Sequence, residues 1–501
     1  MNPLEAAETV AEQFEVSDSD IQKCVNQFIS ELGEGLSEWR PTMCQIPTYI
    51  TRVANGTEKG FTLAVDLGGT NLKICSVDLK GDSTYETQQM ECIIPKNLTV
   101  TSKAKDLFSF VAAEVKGFLE DHHPHRLRSG QKTSLGFCFS FPVQQTSVNS
   151  GVLMHWVKGF DIPDAVDKDV CQLLQEELDD HKVPVKITAI VNDTLGTLMT
   201  RAYTLPVDKT RTCVGAIFST GTNGAYLEQL SKVKKDIGEH DSSTGEMFLN
   251  TEWGSFDQAL SVLSNTEYDQ EIAVYGADKN TQIFEKRMSG PFLGELLRTS
   301  VEKMYDDHKL GLFPNYKRGD KNLALRNRWS VEPSILTIAE GSDTKALTKK
   351  IEEVFGFPSW AITLQDARAV QMVARAIGRR AARLAGMAVG AVILQSGKLM
   401  YNDPLVQPVV RSLEGRRMSE VDRESRMVDV AVDGNVFEMY PRFEVYMRDA
   451  LRAIDGIGIA GEKRIRIGLA KNGSSIGTAI IALLASKQND AHDGLERWHT
   501  A

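Results

Sequence analysis

Long apolar runs are what this 501-residue chain lacks most clearly. The longest, LAGMAVGAVIL at 384–394, is about half of the ~20 residues that a bilayer span requires, so no membrane span is expected. Basic excess is also missing. With 57 Lys and Arg against 67 Asp and Glu, the net charge is −10 and spread along the chain, which argues against a nucleic-acid surface and favours a small-molecule substrate. The seven cysteines are widely spaced and form no CxxC pair, the pattern of reduced thiols in a cytoplasmic protein. The opening MNPLEAAETVAEQFEV is acidic without an apolar centre, so no secretory signal is expected and the sequons at Asn55 and Asn472 carry no expected glycan. Finally, there is no GxxxxGK[ST], no HRD or DFG, and no GxGxxG after a strand. A P-loop enzyme, a protein kinase and a Rossmann oxidoreductase are therefore disfavoured.

What is present is ordinary globular composition, 42% apolar and 25% charged, in a chain too long for one typical core. Residues 3–39 place Val10, Phe14, Ile21, Val25 and Phe28 at helical spacing, with SDSD at 17–20 to cap a second helix. From 61 to 100 the segments FTLAVDL, LKICSVDL and STYETQQMECII predict an antiparallel meander turning at GGTN and KGD. A helix over 104–120, a strand over 134–141, a helix over 164–179 and a strand over 185–193 complete a first α/β unit. A second unit opens with a strand over 213–219 and carries a polar loop at 230–246. Helices follow over 282–308, 333–339, 344–354 and 365–395, then strands over 427–439, a helix over 443–453, a strand over 464–469 and a helix over 476–486. The same plan, hairpins around a glycine corner followed by helices, thus occurs twice. Two α/β domains facing one cleft, with the ligand at their junction, is the expected architecture. His122, His123 and His125 read as a surface loop rather than a metal site.

The two corners carry the chemistry or are simply turns. Asp66, Gly68, Gly69, Thr70 and Asn71 form one; Thr220, Gly221, Thr222 and Asn223 form the other. Their glycines allow φ > 0 and close approach of an anion, and Asp66 offers a carboxylate for Mg²⁺ through water. Two such corners in facing domains suit a nucleotide triphosphate held from both sides. Asp193 ends an apolar strand, where it is either a base that accepts a hydroxyl proton or the N-cap of the next helix. Glu252 and Glu285 are carboxylates on otherwise apolar segments. A sugar, with several hydroxyls to pair, matches the mixture of Ser140, Lys158, Asn192, Asp193, Asn223, Glu252 and Glu285.

The motifs LAVDLGGTN, LGFCFSFPVQQTSVNSG, VKGF, VNDTLGT, STGTNGAYLE, EWGSF, FEKRMSGPFLGELLR, RRAARLAG, VDGNVFEMYPRF and AKNGSSIGTA, in this order, resemble the hexokinase family and within it fungal glucokinases. The resemblance covers essentially the whole chain. It implies a two-domain, actin-like (ribonuclease H-like) sugar-kinase α/β fold with its active site in the interdomain cleft. A helical segment 1–59 would pack on the large domain 207–473, and a small domain 60–206 would be joined by the helix at 474–488. It implies ATP and Mg²⁺, and transfer of the γ-phosphoryl group to the 6-hydroxyl of glucose or a related hexose, the first step of glycolysis. By the same resemblance Asp193 is the general base, assisted by Lys158. Ser140, Lys158, Asn192, Asn223, Glu252 and Glu285 hold the sugar. Asp66 to Asn71, Lys73 and Thr220 to Thr222 hold phosphates and magnesium, while Asp433, Gly434 and Ser474 lie near the adenosine.

Departures from the family pattern fall at the site. Val157 stands for a threonine, Lys73 for an arginine, Ser219 for a glycine, and Asn472 and Ser475 alter the AKDGSG segment. The NPG loop before Glu285 reads GADKNTQIFEK. If Ser219 needed φ > 0, its strain would be about 1–2 kcal/mol. An alternative reading follows: a catalytically weak or inactive sugar-binding relative that acts as a sensor or regulator with protein partners.

Overall fold

The computed structural model describes residues 2–40, 42–205, 212–274, 279–307, 311–399 and 427–499, with side chains through 487. The expected boundary between 206 and 207 lies outside them. Helices α1 (Pro3–Glu12) and α2 (Asp18–Ser37) are capped by Asn2 and Ser17, each in a reciprocal capping box with the acid three residues on. Phe28 of α2 packs against Trp253, Phe256 and Phe284, which ties this N-terminal pair to the second half of the chain.

Strands β2 (Lys59–Leu67), β3 (Asn71–Lys80) and β4 (Tyr85–Ile93) form the expected antiparallel meander. It ends at Ile93 rather than 100. β5 (Thr133–Phe139) and β8 (Val185–Val191) extend it in parallel, and β6 (Val143–Ser147) and β7 (Ser150–Leu153) form a small separate hairpin that the sequence did not announce. In the second half β9 (Thr212–Phe218), β10 (Thr222–Gln229) and β11 (Glu246–Asn250) run antiparallel, joined by the two-residue β1 (Ile46–Pro47). β12 (Val428–Asp433) and β13 (Ile465–Leu469) then add in parallel. The orders β4-β3-β2-β5-β8 and β11-β10-β9-β12-β13 are the same arrangement built twice. That is the repeat the two glycine corners predict.

One face of the first sheet is covered by α3 (Ala104–His122) and α4 (Val170–Asp180), whose Phe108, Val111, Leu174 and Leu178 join Val65 and Phe137 in one core. α4 begins at 170 rather than 164 because Asp169 accepts from the amides of Cys171 and Gln172 and so fixes the N-terminus. The other face is covered by α5 (Asp193–Thr204) and by the late helix discussed below. Helix α6 (Gly290–Asp306) starts eight residues later than 282, after a 3₁₀ turn at Glu285–Arg287, since Pro291 belongs in a first turn and not a helix interior. α7 (Leu364–Ser396) is the long central helix and α8 (Phe443–Ala453) packs along it. The expected strand over 427–439 breaks at Gly434, φ +114°, where a Cβ would lie 2.3 Å from the Phe218 carbonyl; a short helix Asn435–Met439 follows. The final helix α9 (Gly473–His499) outruns the expected 476–486 at both ends. Among the described residues no helix is long and apolar enough to cross a membrane.

Helices α5 and α9 cross almost backbone to backbone. A Cβ on Gly477 would lie 1.8 Å from the Gly196 carbonyl, and one on Gly196 would lie 2.4 Å from the Ser474 carbonyl. Thr200 Oγ1 donates to the Gly473 carbonyl at 2.7 Å and seals the crossing. Below, Arg201 forks onto buried Asp429 of β12 at 2.9 and 2.8 Å. Because neither backbone has room to give, Gly477→Ala is expected to lower the unfolding free energy by about 2 kcal/mol or more. An unchanged urea midpoint would count against this tight crossing.

Candidate active site

Asp193 is the first residue of α5, directly after β8. The cap itself is Asn192, whose Oδ1 accepts from the Thr194 amide at 3.0 Å and the Thr194 hydroxyl at 2.6 Å. The N-cap reading of Asp193 is therefore corrected by one residue, and the Asp193 carboxylate is left with one local bond, from the Thr194 amide at 2.9 Å. Burial lifts its pKa to about 6, reinforced by the charges of Asp66 and Glu252 and opposed by Lys158. Four residues far apart in sequence thus act on one another electrostatically.

Lys158 is exposed at φ +59°, and its Nζ donates to the Ser140 carbonyl at 2.7 Å. Its methylenes pass over the first corner: a Cβ on Gly69 would meet Lys158 Cδ at 3.1 Å. The φ > 0 that the corner glycines allow is not used, as Gly68, Gly69 and Gly221 are all absent from the left-handed set. Their role is space. At the first corner the Gly68 amide closes the turn onto the Asn71 carbonyl at 3.1 Å, whereas the amides of Gly69 and Thr70 have no partner among the described residues.

On the other side Asn223, Asn250 and Glu252 form a triangle. Glu252 Oε1 accepts from Asn223 Nδ2 at 3.1 Å and Asn250 Nδ2 at 2.7 Å, and Asn250 Oδ1 accepts from Asn223 Nδ2 at 2.8 Å. Glu252 itself sits at φ +53°. Glu285 Oε2 accepts from the Thr222 amide at 2.9 Å, and a Cβ on Gly221 would lie 2.6 Å from that oxygen. Thr222 is buried, with its hydroxyl taken by the Trp253 indole N–H at 3.0 Å, so its polar groups hold the corner together and Thr220 is the corner's exposed member.

Asp66 lies across from Asp193 at the end of β2. Its Oδ2 accepts from Ser474 Oγ at 2.7 Å and Ser475 Oγ at 3.3 Å, which brings Ser474 to the first corner. Asp433 Oδ1 accepts from the Gly434 amide at 2.8 Å, and its Oδ2 accepts from the Gly473 amide at 3.0 Å at the start of α9. Burial raises the Asp433 pKa, while these two amides and Lys73 pull it down. Lys73 also lies 4.0 Å from Glu91.

Hexokinase family models match residues 6–203 and 213–484. The chain belongs to the hexokinase family. It is 44% identical to the glucokinase of Aspergillus niger over 97% of this chain and 98% of that one, and 35% identical to glucokinase-1 of Saccharomyces cerevisiae over 96% and 97%. The solved hexokinase of Schistosoma mansoni, complexed with glucose, superposes with a TM-score of 0.78 at 29% identity, covering 96% of this chain and all of that one. The fold is accordingly the actin-like sugar-kinase fold.

Within a hexokinase-family frame the departures at Ser219, Asn472 and Ser475 fit the local structure. Ser219 is not in the left-handed region, so the expected strain is absent. Asn472 is in it, at φ +55°, a conformation that asparagine tolerates well. Ser475 adds a donor to Asp66. Val157 packs on the aromatic core of the first sheet, where a threonine hydroxyl would gain no apolar contact. Of the altered loop before Glu285, residues 275–278 lie outside the described residues. Sequence reasoning missed Asn250; an amide side chain at a strand end two residues before Glu252 was the available signal.

The raised Asp193 pKa has a sign. Between the ordinary carboxylate value of 3.8 and about 6 the folded chain binds more protons than the unfolded one, so stability present below that window is lost as pH rises through it. Asp193→Asn is therefore expected to raise the unfolding free energy at pH 7 by about 2 kcal/mol, and to lose that advantage towards pH 4. A destabilised variant at pH 7 would contradict the assigned environment.

Proposed function

We propose that this protein is an ATP-dependent hexose kinase that phosphorylates the 6-hydroxyl of glucose or a related hexose, with Asp193 as general base. The observation that carries the reading is the Asp193 carboxylate, with a pKa raised to about 6 among Asp66, Glu252 and Lys158. At pH 7 such a group is about 90% ionised yet basic enough to draw a proton from a hydroxyl in the transition state. Asn223, Glu252 and Glu285 offer acceptors and donors to sugar hydroxyls from one side, Ser140 and Lys158 from the other. The fixed triangle around Glu252 supports preorganised sugar recognition.

Magnesium-bound ATP supplies the phosphoryl group and neutralises its charge when bound. The residues present fit it: hard carboxylate oxygens at Asp66, unpartnered amides at Gly69 and Thr70, and the exposed Lys158 ammonium beside them. Asp433, Gly434 and Ser474, gathered at the start of α9, would border the rest of the nucleotide. We take 60–206 with 474–488 as the small domain and 207–473 as the large one, with 1–59 packed on the latter. Closure of the two domains over the bound sugar would then exclude water. The seven free thiols support a cytoplasmic location.

The sensor reading drew its motive from the departures at phosphate positions, and the accommodated backbone at Ser219 and Asn472 removes much of it. Steady-state ADP release with Mg-ATP and glucose separates the two. Asp193→Ala is expected to reduce turnover by about 10³-fold while leaving calorimetric glucose binding within a few-fold of the parent. Saturable glucose binding without ADP release from any hexose by the unaltered protein would establish the sensor instead.

A further inference from the structure

The first half of α7 carries Arg368, Arg375 and Arg379 at spacings that place them along one side of the helix. With α1 and α8, that side lines an open groove of about 480 Å³, built from elements that contribute none of the active-site residues above. Its apolar surface comes from Leu4, Ala11, Met372, Ala376 and the Tyr446 ring.

The charges around it do not cancel. Arg375 is held by neutral groups alone: Nε donates to the Ala339 carbonyl at 2.9 Å, and Nη2 to the carbonyls of Glu340 and Gly341 at 2.9 and 2.8 Å. Gln371 Nε2 bonds two of the same carbonyls, at 3.0 and 2.9 Å. The guanidinium is thus fixed in place with its charge intact and Nη1 to spare. Arg368 is exposed and has no partner among the described residues. Arg379 meets Glu15, the one carboxylate lining the groove, at 3.3 Å. Behind it buried Glu340 takes the hydroxyls of Tyr440 and Tyr446 at 2.7 and 2.9 Å and lies 3.8 Å from Arg442, whose guanidinium covers the Tyr446 ring. Four guanidiniums face two carboxylates, in a protein whose overall charge is −10.

We propose that this groove binds a small organic phosphate. Its phosphate lies against Arg375 and Arg379, about one turn apart on α7, whose planar forks match phosphate oxygens, Arg368 two turns away adds positive charge at the rim, and its apolar part lies on Met372, Ala376 and Tyr446. The volume is that of a small-molecule site, about 300–1,000 Å³, and a peptide or helix would need a longer groove. The site is independent of the sugar kinase reading.

Isothermal titration of the full chain with phenyl phosphate tests it. Saturable binding is expected, unchanged by saturating ATP, weakened about tenfold by Arg379→Ala and by a smaller factor by Arg368→Ala, both exposed positions. Three results would overturn the proposal: no heat up to about 10 mM ligand, displacement by ATP, or full affinity in the Arg368→Ala/Arg379→Ala double variant. Association with anionic phospholipid vesicles in the absence of phenyl phosphate binding would also overturn it, by making the groove a lipid-headgroup surface.

Discussion

The close passage of α5 over α9 is the constraint on which the rest of the molecule depends. Each helix begins at a residue of the site, Asp193 on α5 and the Gly473–Ser475 turn on α9, so the separation of the two helices sets the separation of those groups. A bulkier crossing would move Ser474 away from Asp66, and with it the first corner from the base. The same helix unites the two sheets, because α5 leaves the first sheet and lies against the second, where a Cβ on Gly215 would lie 2.9 Å from Leu198 Cβ. Packing and chemistry are therefore fixed by one geometric fact, the absence of two β-carbons.

Electrostatics follows from that placement. Three carboxylates, those of Asp66, Asp193 and Glu252, converge on one cleft with Lys158 in opposition. Asp66 and Glu252 are each steadied by donated hydrogen bonds, from two serines and from two asparagines, while Asp193 has only the Thr194 amide. With so few donors to set against its burial, the Asp193 carboxylate gains proton affinity. Burial is the main cause, and the neighbouring anions act in the same direction.

Much of this was legible in the sequence where the signal is local. Strand alternation and a Gly-Thr corner announce both hairpins, and SDSD at 17–20 marks the start of α2. The failures share a cause: they depend on contacts between distant residues. Gly68, Gly69 and Gly221 read as conformational glycines, yet each is glycine because a side chain from elsewhere, Lys158 or Glu285, or a turn carbonyl occupies the space. The apolar spacing of 282–308 reads straight through Gly290–Pro291, where the chain in fact restarts. The strand expected through 439 ends at Gly434 because Phe218 of a neighbouring strand leaves no room for a side chain. Asn250 and Ser475 gain their meaning only from Glu252 and Asp66, which no spacing rule connects to them.

Glu252 occupies a left-handed backbone conformation at the point where its carboxylate is held by two asparagines. Glycine, asparagine and aspartate enter that region readily, whereas β-branched and bulky residues do so only under strain. The set of amino acids that drift can install there is thus small, and among them only aspartate retains an ionised acceptor, on a shorter stem. Divergence of substrate preference is therefore channelled away from the position, and Asp257, Leu260, Asn280 and Gln282, at φ +49° to +56°, place the same limit on single positions of the loops beside it.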